Sequence, residues 1–367
     1  MYTRNFGKDN FVLGDVARIN AASLPRPVKM AWSSFPCQDL SLAGWRNGIT
    51  AKHSGVFWAF WRLMHDLARE RPPMIVVENV TGLLYGDSFT GLCEAIAALG
   101  MQFGALVMDA SQFLPQSRSR VFLVALDERV DCSSLVSMQP VPNWAPKALL
   151  KAYERLTGSV RALWRWWWLP LPEEPRPSIA GMIEEEPTLV DWNTSEQTQR
   201  LLDMMSDSNK EKVQKAVRAR HRQIGFLYKR IRNDRQRAEV RFDGVAGCLR
   251  TPQGGSSRQT VVVIEDGSVR TRLLSPREAA RLMGVPDSFA LPDHYNNAYK
   301  AMGDAVAVPV VSWLSEKLLL PMAMLLPDGS RAMPLAKNHS QFHARAERRA
   351  LQWMNLQTQR SAPVQQS

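Results

Sequence analysis

Two residues with chemistry to offer stand where short apolar runs end. Val28 to Trp32 leads into Ser33-Ser34-Phe35-Pro36-Cys37, and Met74 to Val77 is followed at once by Glu78-Asn79. Such runs predict buried strands. In open α/β sheets, ligands sit beyond the carboxyl ends of strands, so a thiol and a carboxylic acid are presented to one cleft. A thiolate attacks electrophilic carbon, and a neighbouring acid protonates the atom that gathers charge. A single free cysteine is usually a small buried hydrophobe. The setting of Cys37 argues against that, with Pro36 before it, Gln38-Asp39 after it, and Gly44 and Gly48 further along the loop. Cys93, on an apolar helical face, fits the buried role, and Cys132 and Cys248 have no catalytic context. A phosphatase loop would need arginine six residues beyond Cys37, where this chain has Ala43. A cysteine protease would need a paired histidine, which the six scattered histidines leave open but for which no motif exists. Arg118 and Arg120, in a polar Gln-Ser-Arg-Ser-Arg connection, add two cations at another strand end.

These groups need a frame. Val56, Phe57, Phe60, Trp61, Met64 and Leu67 recur at helical spacing and predict a helix over about 54–69, stopped by Pro72-Pro73. Phe89, Leu92, Cys93, Ile96 and Leu99 predict another, closed by Gly100. Strands follow near 103–108 and 121–126. Alternating strands and helices predict a parallel sheet with helices on both faces. After Asp127 the character changes. Residues 133–177 are rich in Pro and Trp, and the bunched Trp164, Trp166, Trp167 and Trp168 predict packing or an inter-domain seam rather than base stacking. Lys210 to Arg241 carries twelve basic residues, opposed only by Glu211, Asp234 and Glu239. Gly254-Gly255-Ser256-Ser257 and a β-like Thr260 to Ile264 follow, and helical spacing returns at Ser275. These shifts predict a catalytic α/β domain over 1–126, an inserted nucleic-acid-facing domain over 127–289, and a return to the catalytic domain over 290–325. A polar, poorly ordered tail is expected over 326–367.

Composition sets the bounds. The 367 residues suffice for two domains, and 45% hydrophobic with 22% charged residues excludes a disordered or collagen-like chain. Lys plus Arg (46) against Asp plus Glu (35) leaves +11, which suits a polyanion such as nucleic acid. Four cysteines without a CxxC pair predict neither a zinc site nor a disulfide framework. Residues 1–10 lack a signal-peptide core, and the apolar run Leu318 to Leu326 is short and interrupted by Pro321. The expectation is a cytoplasmic protein with reduced thiols and no membrane partner.

Five blocks occur in order: Phe35-Pro36-Cys37-Gln38-Asp39-Leu40-Ser41, Glu78-Asn79-Val80, Gln116 to Arg120, Leu274 to Gly284, and Tyr299 to Val306. Together they resemble the DNA cytosine-5 methyltransferase family over about residues 8 to 320. The resemblance implies a Rossmann-like α/β sheet that binds S-adenosyl-L-methionine, interrupted by a target-recognition domain. It also implies double-stranded DNA as substrate and a base flipped out of the stack, because the target atom cannot be reached inside a duplex. Carbon 5 of cytosine is a poor nucleophile, so such enzymes first add a thiolate to carbon 6. The resemblance assigns that role to Cys37 and protonation of the adjacent ring nitrogen to Glu78. It gives Arg120 the cytosine oxygen, Arg118 the support of loop and backbone, and Asn79 the shaping of its loop. By the same likeness Asp15, Val56, Asp304, Ala305 and Val306 form the cofactor pocket, with Asp15 accepting from the adenine amine. Asp304 stands where the family usually has Asn.

Within the insert, Arg230, Arg232, Arg241, Gly254, Gly255 and Arg258 are expected to meet DNA, since glycine lets backbone approach phosphate closely. Lys210 to Arg220 is expected to be a solvated helix face over a thin stripe of Val213 and Val217.

The chain departs from the family at its start. No Gly-x-Gly turn occurs anywhere in it, and neither does the strand ending in an acid for the ribose. Three readings follow: a misassigned start, a truncated or split gene completed by a separate upstream peptide, or a decayed remnant. Each predicts weak S-adenosylmethionine binding by this chain alone. The competing functions are a non-catalytic DNA-binding remnant and an RNA cytosine-5 methyltransferase.

Overall fold

The computed structural model describes residues 1–36, 56–232, 235–250, 258–327, 347–348 and 350–351. The chain divides into two compact units. The first, here called the sheet unit, comprises Val12–Met108, Ser119–Leu171 and Leu314–Ser367. The other, the insert unit, comprises Met1–Phe11, Asp109–Arg118 and Pro172–Trp313.

The sheet unit is built on strands β1 (Met30–Ser33), β2 (Met74–Val80), β3 (Met101–Asp109) and β4 (Ser119–Asp127), ordered β1-β2-β4-β3. Helices α1 (Val56–Asp66) and α2 (Ser88–Ala98) lie where the apolar spacing predicts them. Phe57, Trp58 and Trp61 pack with Ile96 and with Ile75, Val77, Val121 and Leu123 of the sheet in one buried core. The β1–β2 pair is parallel, with Ser33 opposite Val77. The expected all-parallel sheet is corrected at β4, which runs antiparallel to β2. The short connection at 110–118 suits a reversal of the chain rather than the helical crossover that a parallel strand needs.

Residues 127–171 belong to this unit and not to the insert unit. Phe103 donates its amide to Leu163 and accepts from Arg165, and Val107 donates to Trp144, so the segment pairs along β3. The approach is close enough to require Gly104, where a Cβ would stand 1.9 Å from the Arg165 carbonyl oxygen. The tryptophans serve packing: Trp164 and Trp167 are buried, and Tyr153 contacts the rings of Trp164 and Trp166. The described part of the tail is helical at 347–348 and 350–351. Its Ala350 is fully buried in the same core, and Glu347 meets His65 at 2.8 Å.

The insert unit carries a second sheet of β5 (Gln223–Arg232), β6 (Arg235–Arg241), β7 (Thr260–Glu265) and β8 (Ser268–Leu273), ordered β8-β7-β5-β6. Helix α3 (Asp207–Arg218) covers it through Val213 and Ala216, which join Leu227, Ala238, Val240, Val262 and Ile264; its charged residues point outward, as expected. Helix α4 (Pro276–Leu282) starts in a capping box of Ser275 and Glu278. The Glu278 carboxylate also pairs with Arg272 at 2.6 Å, both side chains fully buried. Helices α5 (Tyr295–Asp304) and α6 (Val308–Leu314) follow. By length and composition, Tyr295–Met324 is apolar enough to cross a membrane. It breaks at 305–307, however, and buries Tyr299, Met302, Val310, Leu314, Leu318 and Met322.

Candidate active site

Register builds the central pair. In the β2–β4 ladder, Val80 is opposite Arg120 and Glu78 opposite Phe122. Side chains two residues apart share a face, so Glu78 and Arg120 are diagonal neighbours, within reach of long side chains. The Glu78 carboxylate lies 3.3 Å from Arg120 Nε. Arg120 also donates to the Ser119 carbonyl. Glu78 is 6% exposed and sits inside β2 rather than just past it. A buried carboxylate held beside a guanidinium keeps its place and has lone pairs left to accept a hydrogen bond from a bound group.

Asn79 connects this pair to the thiol loop. Its Nδ2 donates to the Phe35 carbonyl at 3.0 Å, and its Oδ1 accepts from the Val80 amide at 2.9 Å. Phe35 is buried two residues before Cys37. Because β1 and β2 are parallel, the segment leaving Ser33 and the Glu78 side chain lie toward the same end of the sheet. Cys37 itself lies outside the described residues. Of the other thiols, burial pushes Cys93 well above the usual range and Cys132 above it as well, so neither is primed as a nucleophile.

Arg118, two residues from Arg120, belongs to the insert unit and faces different partners. It is 3% exposed. Nη1 donates to the Leu249 carbonyl at 2.9 Å, and Nη2 donates to those of Gly303 and Ala305 at 2.8 and 2.6 Å. Buried Gln116 supports the same region, donating to the Leu282 carbonyl and accepting from the Leu249 amide. Cys248 Sγ lies 3.5 Å from Arg118 Nη1; the sequence analysis quoted Gln116 within its block without a role and missed Cys248 and Leu249 as parts of this clasp.

The proposed cofactor contacts fall in both units. Asp15 is exposed and caps the turn at Val16–Arg18, its Oδ1 accepting from Ala17; the second carboxylate oxygen can accept from an amine. Val56 begins the described part of α1. Asp304 ends α5 and pairs with Lys300 at 2.5 Å, whereas the next helix starts only at Val308. Asp304 thus closes one helix, and Ala305 and Val306 form a turn before the next. It is anchored by the Ala305 carbonyl on Arg118, and no acceptor among the described residues meets the Val306 amide.

The expected DNA contacts differ in how far they are already committed. Arg230 lies over the Tyr228 ring and 3.7 Å from Glu239. Arg241 is gripped by Asp243. Arg258 donates to Asn296 and lies over Tyr295, lining a cavity of about 440 Å³ with Trp192 and Asn193. The backbone of Arg232 pairs opposite Arg235. Gly254 and Gly255 lie outside the described residues. Arg235 and Arg237, within the Arg230–Arg241 stretch expected to contact DNA, are exposed and have no carboxylate partner among the described residues.

Solved methyltransferases share this fold. The S. pombe Dnmt2 methyltransferase has a TM-score of 0.51 at 18% identity, covering 88% of this chain and 86% of that one. The Entamoeba histolytica methyltransferase EhMeth has a TM-score of 0.55 at 14% identity, with the same two coverages. The fold is thus that of a methyltransferase, built on an α/β sheet. More narrowly, residues 1–319 match the C-5 cytosine-specific DNA methylase family, and the chain belongs to that family. Among its relatives, the type II methyltransferase M.MspI of Moraxella sp is 24% identical over 326 residues. That match covers 88% of this chain and spans 62% of the relative's length. M.HhaI of Haemophilus parahaemolyticus is 24% identical over 320 residues, covering 86% of this chain and 82% of the relative.

Proposed function

We propose that this chain is a cytosine-5 methyltransferase acting on double-stranded DNA in the cytoplasm. The observation that carries the reading is the buried Glu78–Arg120 pair, tied through Asn79 to the loop that leads into Cys37. The Cys37 thiolate adds to carbon 6 of a flipped cytosine while Glu78 protonates the ring nitrogen beside the exocyclic amine. The electron pair of the carbon 5–carbon 6 double bond shifts to join carbons 4 and 5, and the pair from the carbon 4–ring nitrogen bond takes up the Glu78 proton, leaving an enamine nucleophilic at carbon 5. S-adenosylmethionine, when bound, supplies the methyl group to that carbon. The ring nitrogen returns its proton to Glu78, a water molecule takes the carbon 5 proton, and the resulting elimination restores the carbon 5–carbon 6 double bond and expels the Cys37 thiolate. Arg120 holds Glu78 and presents donors toward the cytosine oxygen. Arg118 keeps the turn at 304–306 in shape, and Asp15 and Val56 serve the cofactor from the sheet unit. Target recognition belongs to the insert unit, where Arg230, Arg232, Arg241, Arg258 and the glycines at 254 and 255 meet DNA.

The test is transfer of label from radioactive S-adenosylmethionine to duplex DNA, with single-stranded DNA and RNA as competing substrates. Label on duplex DNA that disappears in Cys37→Ser and Glu78→Gln is expected. Label on RNA alone would replace the DNA reading. DNA affinity without transfer to any substrate would leave a DNA-binding remnant.

A further inference from the structure

The sheet of the insert unit ends in a bare ribbon. Among the described residues, strand β5 pairs with β7 as far as Leu227 opposite Thr260; beyond that its described partner is β6. The outer edge of β6 bonds at Ala238, whose amide donates to the Met204 carbonyl. Arg230–Arg232 and Arg235–Arg237 therefore pair as two strands with no third strand beside them among the described residues. Isolated ribbons are marginal in water, and this one carries an unfavourable charge pattern. Arg230 is directly opposite Arg237. Like charges facing each other across a ladder destabilise it. Alternation puts Arg230, Arg235, Arg237 and Arg241 on one face, while Ala238 and Val240 are buried on the other. At the root of that face Arg230 meets Glu239, and Arg241 is held by Asp243. Farther along that face, Arg235 and Arg237 are exposed, with no partner among the described residues. Ile231, 73% exposed, stands on the opposite face.

We infer that this ribbon enters the DNA major groove and that Arg235 and Arg237 read guanines there. The inference rests on the DNA reading proposed above and supplies its specificity determinants. A B-DNA major groove about 12 Å wide and about 8.5 Å deep admits a two-stranded ribbon. The strand from Lys229 to Arg232 rises about 10 Å, enough to carry the tip to the groove floor. Phosphates lining the groove relieve the repulsion between facing arginines. An uncommitted guanidinium fork matches guanine O6 and N7, and exposed Ile231 suits a thymine methyl. The deep, narrow major groove of A-form RNA excludes such a ribbon.

The experiment maps methylated cytosines in a random-sequence duplex library by bisulfite sequencing, for the full chain, Arg235→Ala/Arg237→Ala and Arg235→Lys/Arg237→Lys. The wild type is expected to require guanine at defined flanking positions, and both double variants to relax that requirement by roughly tenfold or more per position. Lysine keeps the charge but not the fork, so the lysine variant should keep the salt dependence of duplex affinity while losing the preference. Unchanged guanine preference in both variants would overturn the inference, as would a shallower salt dependence in the alanine variant with its preference intact, since that marks phosphate contact only. If the wild type methylates no duplex while RNA is methylated, the DNA reading itself fails, and the ribbon proposal with it.

Discussion

Across the β2–β4 ladder, the Glu78 carboxylate and Arg120 Nε lie 3.3 Å apart with side chains 8% and 13% exposed. Removing one partner leaves the other charged, nearly buried and unpaired. Arg120→Ala should therefore destabilise the fold by about 3 kcal/mol, read as a lower urea midpoint. Glu78→Gln, which keeps the shape and can still accept from Arg120, should remain folded and lose about 10²- to 10⁴-fold in methyl transfer. Full activity in folded Glu78→Gln would remove Glu78 from the proton step.

The Arg118 clasp makes a different prediction, one about stability first. Arg118→Ala abandons three backbone carbonyls, those of Leu249, Gly303 and Ala305. Buried acceptors left without donors cost about 1 kcal/mol or more each, so its urea midpoint should fall and Arg118→Lys should recover part of the loss. Binding of S-adenosylhomocysteine, followed by calorimetry, should weaken in the same order as the turn at 304–306 loosens. Equal affinity in all three proteins would dissociate Arg118 from the cofactor turn.

At the end of β4, burial raises the Asp127 carboxyl, but hydrogen bonds from Arg129, at 2.6 to 3.0 Å, outweigh it and hold the group below the usual carboxylate range. A depressed folded value contributes stability that is complete above the unfolded value of about 3.9 and disappears as pH falls through the folded one. Asp127→Asn should thus be less stable than wild type at pH 7, with a difference that narrows below about pH 4. Chemical denaturation across that range measures it, and a difference that grew on acidification would reverse the sign.

What was legible in the sequence was what side chains encode. Four apolar residues before Glu78-Asn79 announced a buried strand ending in polar chemistry, and Trp61 and Ile96 announced the helices that cover it. Main-chain partners leave no such mark. Any residue presents a carbonyl, so nothing in Leu249, Gly303 or Ala305 marked them as the acceptors of Arg118. The pairing of Phe103 with Leu163 and Arg165, which brings residues 127–171 to the β1–β4 sheet, was hidden for the same reason. Strand direction was equally silent in composition, because β4 is apolar whichever way it runs. The Arg235–Arg237 tip was obscured within a long basic stretch until register showed which arginines face one another.

The central claim is a covalent bond between Cys37 and carbon 6 of a target cytosine, and trapping tests it most directly. Duplex DNA bearing 5-fluorocytosine keeps fluorine where a proton must leave, so the adduct cannot resolve. Incubated with this chain and S-adenosylmethionine, it should yield a protein–DNA species that survives denaturing electrophoresis, with the cross-link mapped by mass spectrometry to Cys37. Cys248→Ser should trap as well as wild type, and Cys37→Ser should not trap at all. Trapping by Cys37→Ser equal to wild type would contradict the account.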